Sequence, residues 1–195
     1  TVSALGNPHI ITPNMDRLAK EGARFANAFT ATPVCSPSRV TFMTGRWGTQ
    51  MAVTDYLAPN EERAGLGLAP ETVTWPRVFQ QNGWDTAHIG KWHLGQMPHN
   101  HPTKMGFDHF YGFLGGGNPP MNPTYDLPGG KKALQGYGAD LMTDEAVRWI
   151  GAQKGKPFVM TLHFREPHLA YKPVPPEDSA PFEKLDPTVP QLKGL

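Results

Sequence analysis

Met15, Leu18 and Ala19 fall on one face of a helix expected over residues 13 to 21, with Thr12 as its cap, Pro13 in its first turn and Gly22 as its stop. Residues 24 to 29 then read as a strand. A second helix is expected over 37 to 44, with Ser36 able to cap it and Pro37 suited to its first turn. A loop-rich passage runs to about residue 70, followed by a helix over 74 to 81, stopped by Gly83, and a short strand over 84 to 89. From 94 to 136 the chain is rich in Gly, Pro and Asn, with two short aromatic patches, and reads as an excursion from the regular layers. Leu141, Ala146, Trp149 and Ile150 recur at near-helical spacing, and the apolar run from Pro157 to Phe164 is short enough for a buried strand. Strands alternating with helices predict an α/β fold. The Pro-rich stretch from Glu166 onward reads as surface loop, and no repeat or internal domain boundary interrupts the pattern.

Composition adds bounds rather than detail. A chain of 195 residues is long enough for one domain with a core, while 21 Gly and 21 Pro imply much irregular structure. The net charge is +1 with Lys and Arg scattered, which argues against a nucleic-acid or polybasic membrane surface. One cysteine permits no internal disulfide, and no apolar run approaches the length of a membrane span. Thr1-Val2-Ser3-Ala4-Leu5-Gly6 does not read as a signal peptide but as the middle of a protein, so the compartment is not readable.

The lone Cys35 stands at an expected helix start, where free N–H groups and the helix dipole attract an anion, with Arg39 one turn on. That pattern reads as a nucleophile site, against the plainer reading of a buried thiol acting as a small hydrophobe. A cysteine-phosphatase loop is excluded, because its Cys-to-Arg spacing is longer than the three residues here. Farther on, Lys91 and His93 leave the end of the 84 to 89 strand. By strand alternation they point the same way, so that a cation and an imidazole converge on one oxyanion. Five histidines, His88, His93, His99, His101 and His109, cluster in sequence without the spacing of a zinc site, while His9 and His163 read as structural and His88 faces away from the site. Trp47, Tyr56, Trp92, Phe110, Tyr111 and Tyr171 are candidates for ring stacking or, more plainly, local core anchors.

The run Cys35-Ser36-Pro37-Ser38-Arg39, followed by Thr44-Gly45-Arg46, resembles the first signature of the type I sulfatases. Gly83 to His93 resembles their second signature, with Trp84 where tyrosine is usual. Residues 12 to 22, the Gly106-Phe107-Asp108 to Phe113 stretch, and Phe158 to His168 resemble further segments of that family in the same order. The resemblance implies the alkaline phosphatase-like fold, a mixed β-sheet sandwiched by helices. Residues 1–195 would form part of an N-terminal catalytic domain, without the first metal-binding strand and the C-terminal part.

It further implies that Cys35 is oxidised to formylglycine by a maturation enzyme and, as its hydrate, attacks sulfur. Arg39 would hold the diol, Lys91 would contact sulfate, His93 would act as base, and His168 would sit on the leaving-group side as a sulfate contact or general acid. The implied metal is Ca²⁺, or sometimes Mg²⁺, touching Cys35 as formylglycine, with its remaining ligands outside this chain. Asp85, Asp108 and Asp126 do not match those ligands and read as strand, turn and loop residues. The implied substrate is a glycan or aryl sulfate ester, and the implied location periplasmic, extracellular or lysosomal. The stretch from 94 to 136 would face the substrate. Two alternatives stand beside this: a formylglycine-dependent phosphonate monoester or phosphodiester hydrolase, and a non-catalytic fragment that binds sulfated glycans.

Overall fold

The computed structural model describes residues 2–184. A five-stranded mixed sheet runs in the order β4-β3-β2-β1-β5, with β1 at Asp85–Lys91, β2 at His109–Phe113, β3 at Thr124–Leu127, β4 at Gly130–Ala133 and β5 at Phe158–His163. β1 is parallel to both neighbours, with Ile89 opposite Tyr111 on one side and Leu162 on the other. All of β1 after Asp85 is buried, as befits a central parallel strand covered on both faces.

Alternation of side chains divides the core into two layers. Ile89, Phe113 and Tyr125 pack against Met142 and Ala146 of α5 (Gly138–Ala152), with Met160 and Leu162 of β5 alongside. On the opposite face, His88 stacks on Phe110 and touches Phe107 and Trp92, which join Val40 and Met43 of α2 (Cys35–Thr44) in the second cluster. α4 (Trp75–Gln81), capped by the Thr74 hydroxyl, also packs on β1. The architecture is thus the expected α/β sandwich.

Several local expectations are corrected. Residues 24 to 29 form no strand: β5 is the last strand of the sheet among the described residues, and a strand without a hydrogen-bonded neighbour has no partner for its backbone. Phe25 and Phe29 lie on the surface there. α1 (Pro13–Glu21) forms as expected but buries no side chain, and Thr12 does not cap it; the Thr12 hydroxyl accepts from the Ser3 N–H instead. The stretch from 94 to 136 holds three strands, because its short aromatic patches find partners in β1 and in the β3–β4 hairpin. The passage before residue 70 includes the short α3 (Pro59–Arg63), and the Pro-rich end includes α6 (Pro176–Ser179).

Candidate active site

The site is built where the N-terminus of α2 meets the C-terminal end of β1. α2 begins at Cys35, two residues earlier than the sequence pattern indicates, and Val34 provides no side-chain cap. Ser36 is not the cap; its hydroxyl is fully buried and accepts from the Leu57 N–H at 3.0 Å. Among the described residues the Cys35 and Ser36 N–H groups have no backbone partner, and the first such bond is Ser38 N–H to Val34 O at 3.1 Å. Partly exposed Cys35 opens on a cleft of about 370 Å³ lined also by Thr30, Thr32, Ser38 and Arg39.

Arg39 is tied to the strand end rather than free in the cleft. Its Nη1 donates to Lys91 O at 2.7 Å and to His163 Nδ1 at 3.0 Å, and burial brings the guanidinium down to about 10 against the pull of Cys35. His163 must then accept, and burial with Arg39 beside it holds it neutral, down to about 4. Fully buried His88 joins the same support: Nε2 meets Lys91 O at 3.1 Å and Nδ1 meets the Thr161 hydroxyl at 2.6 Å. Burial also pushes His88 well below the usual histidine range, so a neutral ring donating from Nε2 satisfies both contacts. Both histidines are structural, but His88, expected to face away, is buried against the Lys91 carbonyl and His163 and with His163 braces the end of β1.

Lys91 closes β1 just after Gly90, whose φ of 107° and approach to the His163 carbonyl leave no room for a Cβ. The Lys91 side chain is 3% exposed and, among the described residues, makes no ion pair. Burial and Arg39 bring its ammonium down to about 8, opposed by Cys35 and Glu62. Simple strand alternation does not place His93, since Trp92 sits in the core and His93 takes a left-handed φ of 58°. The turn nonetheless sets His93 within the fields of Lys91, Arg39 and His168. His93 Nε2 meets Leu57 O at 2.9 Å, while its Nδ1 is buried without a partner. Burial lowers this ring to about 4. Neutral His93 therefore donates from Nε2 and presents a lone pair on Nδ1.

His168 is exposed on a loop shaped by Arg165, which lies 4% exposed. The Arg165 guanidinium donates to the carbonyls of His168, Leu169 and Ala170 at 2.7, 3.1 and 2.6 Å. Arg165 and the fully buried Glu62 are the site residues that motif reading misses, because neither belongs to a recognisable pattern. Trp92 and Phe110 are core residues and Trp47 and Tyr56 lie on the surface. Asp85 pairs with Lys156, Asp108 accepts from Thr86 and Gln80, and Asp126 accepts from the Leu114 N–H. Among the described residues no three His, Cys, Asp or Glu side chains gather to hold a metal. A hard dication wants several oxygen ligands, so Ca²⁺ does not fit these residues alone.

A family model described as Sulfatase matches residues 1–191. An N-acetylglucosamine-6-O-sulfatase of Bacteroides thetaiotaomicron is 34% identical over 89% of this chain and 29% of its own length. An N-acetylgalactosamine-6-sulfatase of Rattus norvegicus is 36% identical over 83% of this chain and 33% of its own. The chain thus spans about a third of the length of these relatives. Among solved structures, Ps i-CgsB in complex with k-i-k-neocarrahexaose has a TM-score of 0.85 at 30% identity, covering 93% of this chain and 45% of that one. A protein solved with its substrate D-glucosamine-2-N,6-O-disulfate has a TM-score of 0.75 at 33% identity, covering 89% of this chain and 33% of that one. The phosphonate monoester hydrolase of Agrobacterium radiobacter, with a TM-score of 0.54 at 19% identity, shares the fold.

Proposed function

The chain belongs to the sulfatase family, and from that premise we propose that it is the nucleophile-bearing part of the N-terminal catalytic domain of a sulfuric ester hydrolase. Cys35, matured to formylglycine, is the nucleophile. One hydroxyl of its hydrate gives up its proton to solvent as its oxygen attacks sulfur, the S–O bond to the alcohol breaks, and the alcohol leaves with a proton from His168. A sulfate hemiacetal remains on residue 35. His93 Nδ1 then takes the proton of the second hydroxyl, the C–O bond to sulfate breaks, and the aldehyde is restored. Lys91 and the N–H groups opening α2 face the negative oxygens, and Arg39 offsets the charge of the diol. Ca²⁺ or Mg²⁺, which the family resemblance implies, has no ligand set in the described residues, and no step here passes through it.

The observation that carries this reading is His93, neutral, its Nε2 held by Leu57 O and its Nδ1 left bare and buried within the fields of Lys91 and Arg39. A base already neutral at pH 7 needs only a hydroxyl in reach. Relative turnover of a sulfate monoester, a glycan sulfate and a phosphodiester by the intact protein tests the substrate class. Hydrolysis of sulfate esters is expected to exceed that of the diester, and preference for the diester would move the protein to the phosphonate and phosphodiester branch. Binding of sulfated glycans without turnover would make it a binding fragment.

A further inference from the structure

We propose that Ser36 and Gly116 are positioning residues that aim the His93 ring, Ser36 through a hydrogen-bonded strut by way of Leu57 and Gly116 by close contact with the ring itself. The proposal rests on the reading above that His93 is the base. Ser36 directly follows the nucleophile, is fully buried, and spends its hydroxyl across the site rather than on its own helix, accepting from the Leu57 N–H at 3.0 Å. Leu57 is 2% exposed and belongs to the core cluster that holds Val40 and Met43 of α2. Its carbonyl meets His93 Nε2 at 2.9 Å. Two hydrogen bonds therefore join residue 36 to the base. They also decide the tautomer, since a carbonyl only accepts and Nε2 must donate to it, leaving Nδ1 bare.

Gly116 constrains the same ring from the loop that leaves β2. The His93 N–H donates to Leu114 O at 2.8 Å, which sets the base beside that loop. A Cβ on Gly116 would lie 2.6 Å from both Cε1 and Nε2 of His93 and 3.2 Å from Nδ1, so the ring would have to move. The Gly116 φ lies outside the left-handed region, so it is the ring and not the backbone that demands glycine. Nε2 is at once the atom bonded to Leu57 and one of the two nearest to position 116. A methyl group there therefore pushes the ring off the Leu57 carbonyl. Gly117, one residue on, has open space where a Cβ would stand.

Histidine ¹⁵N NMR of the intact protein at pH 7, with His93 assigned through His93→Gln, reads the tautomer without any turnover. Wild-type His93 is expected to carry its proton on Nε2 alone, and Gly116→Ala and Ser36→Ala to show a mixture of tautomers. With the aldehyde content of residue 35 matched by mass, Gly116→Ala should lower kcat about a hundredfold and Ser36→Ala about tenfold, each with KM near the wild-type value. Gly117→Ala should leave the tautomer and kcat unchanged. Should Gly116→Ala not fold, Gly116→Ala combined with His93→Ala replaces it, and removal of the ring should bring the melting temperature back to that of His93→Ala alone. An unchanged tautomer in Gly116→Ala or Ser36→Ala, a shifted one with wild-type kcat, an equal loss in Gly117→Ala, or no recovery in the double variant would each overturn the proposal. A shifted tautomer in a protein that hydrolyses no sulfate ester leaves the aiming of His93 standing and removes the sulfatase reading instead.

Discussion

α1 and α2 are of nearly equal length, nine and ten residues, yet α1 buries no side chain whereas α2 buries Ser36, Pro37, Val40 and Met43. α1 is held by a local knot in which Asp16 accepts from the Ala4 N–H and the Ser3 hydroxyl. α2 is locked by core packing, by Ser36 to Leu57 and by Arg39 to the end of β1. Regular local structure and a role in the site are therefore separable. The helix with the clearer amphipathic pattern stands on the surface, and the less patterned one carries the proposed nucleophile.

The contrast can be broken most forcefully at residue 35. Cys35→Ala is expected to lower turnover by about 10⁴-fold or more with little change in melting temperature, since the side chain is partly exposed at a helix end. Loss of the fold instead would make Cys35 a packing residue. Met43→Ala, on the buried side of the same helix, should cost about 2–5 kcal/mol of stability in denaturant unfolding. Lys91→Ala and His93→Ala should each lower kcat about a hundredfold or more, beyond any loss of thermal stability. Near-normal kcat in either variant would make its role structural.

Acid sharpens the comparison next. His93 and His163 are held neutral down to about 4, and His88 is shifted in the same direction from 6.5. An unfolded chain takes up those protons below about pH 6.5 while the folded site refuses them. Stability present above that pH is therefore lost as pH falls toward 4, by up to about 1.4 kcal/mol per pH unit for each histidine. Urea midpoints between pH 7 and 4 read this directly. The smallest effect belongs to α1: Leu18→Ala, on an exposed side chain, should stay within about 0.5 kcal/mol of the wild type.

The layering and most of the regular elements are legible in the sequence, and the sequence also names Cys35, Arg39, Lys91, His93 and His168 as candidates for one site. Helix caps and short apolar runs are local, and the two signature segments carry Cys35, Arg39, Lys91 and His93 in a fixed order. What was not legible depends on contacts between distant segments. The 24 to 29 strand fails for want of a neighbour, β2 to β4 form because neighbours are supplied, and His93 is aimed by a left-handed turn rather than by alternation. Glu62, His88, His163 and Arg165 join the site only through long-range hydrogen bonds, burial and fields that no short motif records.

The central claim is that residue 35 does chemistry no unmodified thiol performs. Mass spectrometry of the peptide spanning Cys35, taken from a preparation that hydrolyses a sulfate ester and was made with a maturation enzyme, tests it most directly. The account predicts that the CH₂–SH group has become CHO in the active fraction. A peptide carrying only the thiol, in protein that turns over sulfate esters, would contradict it.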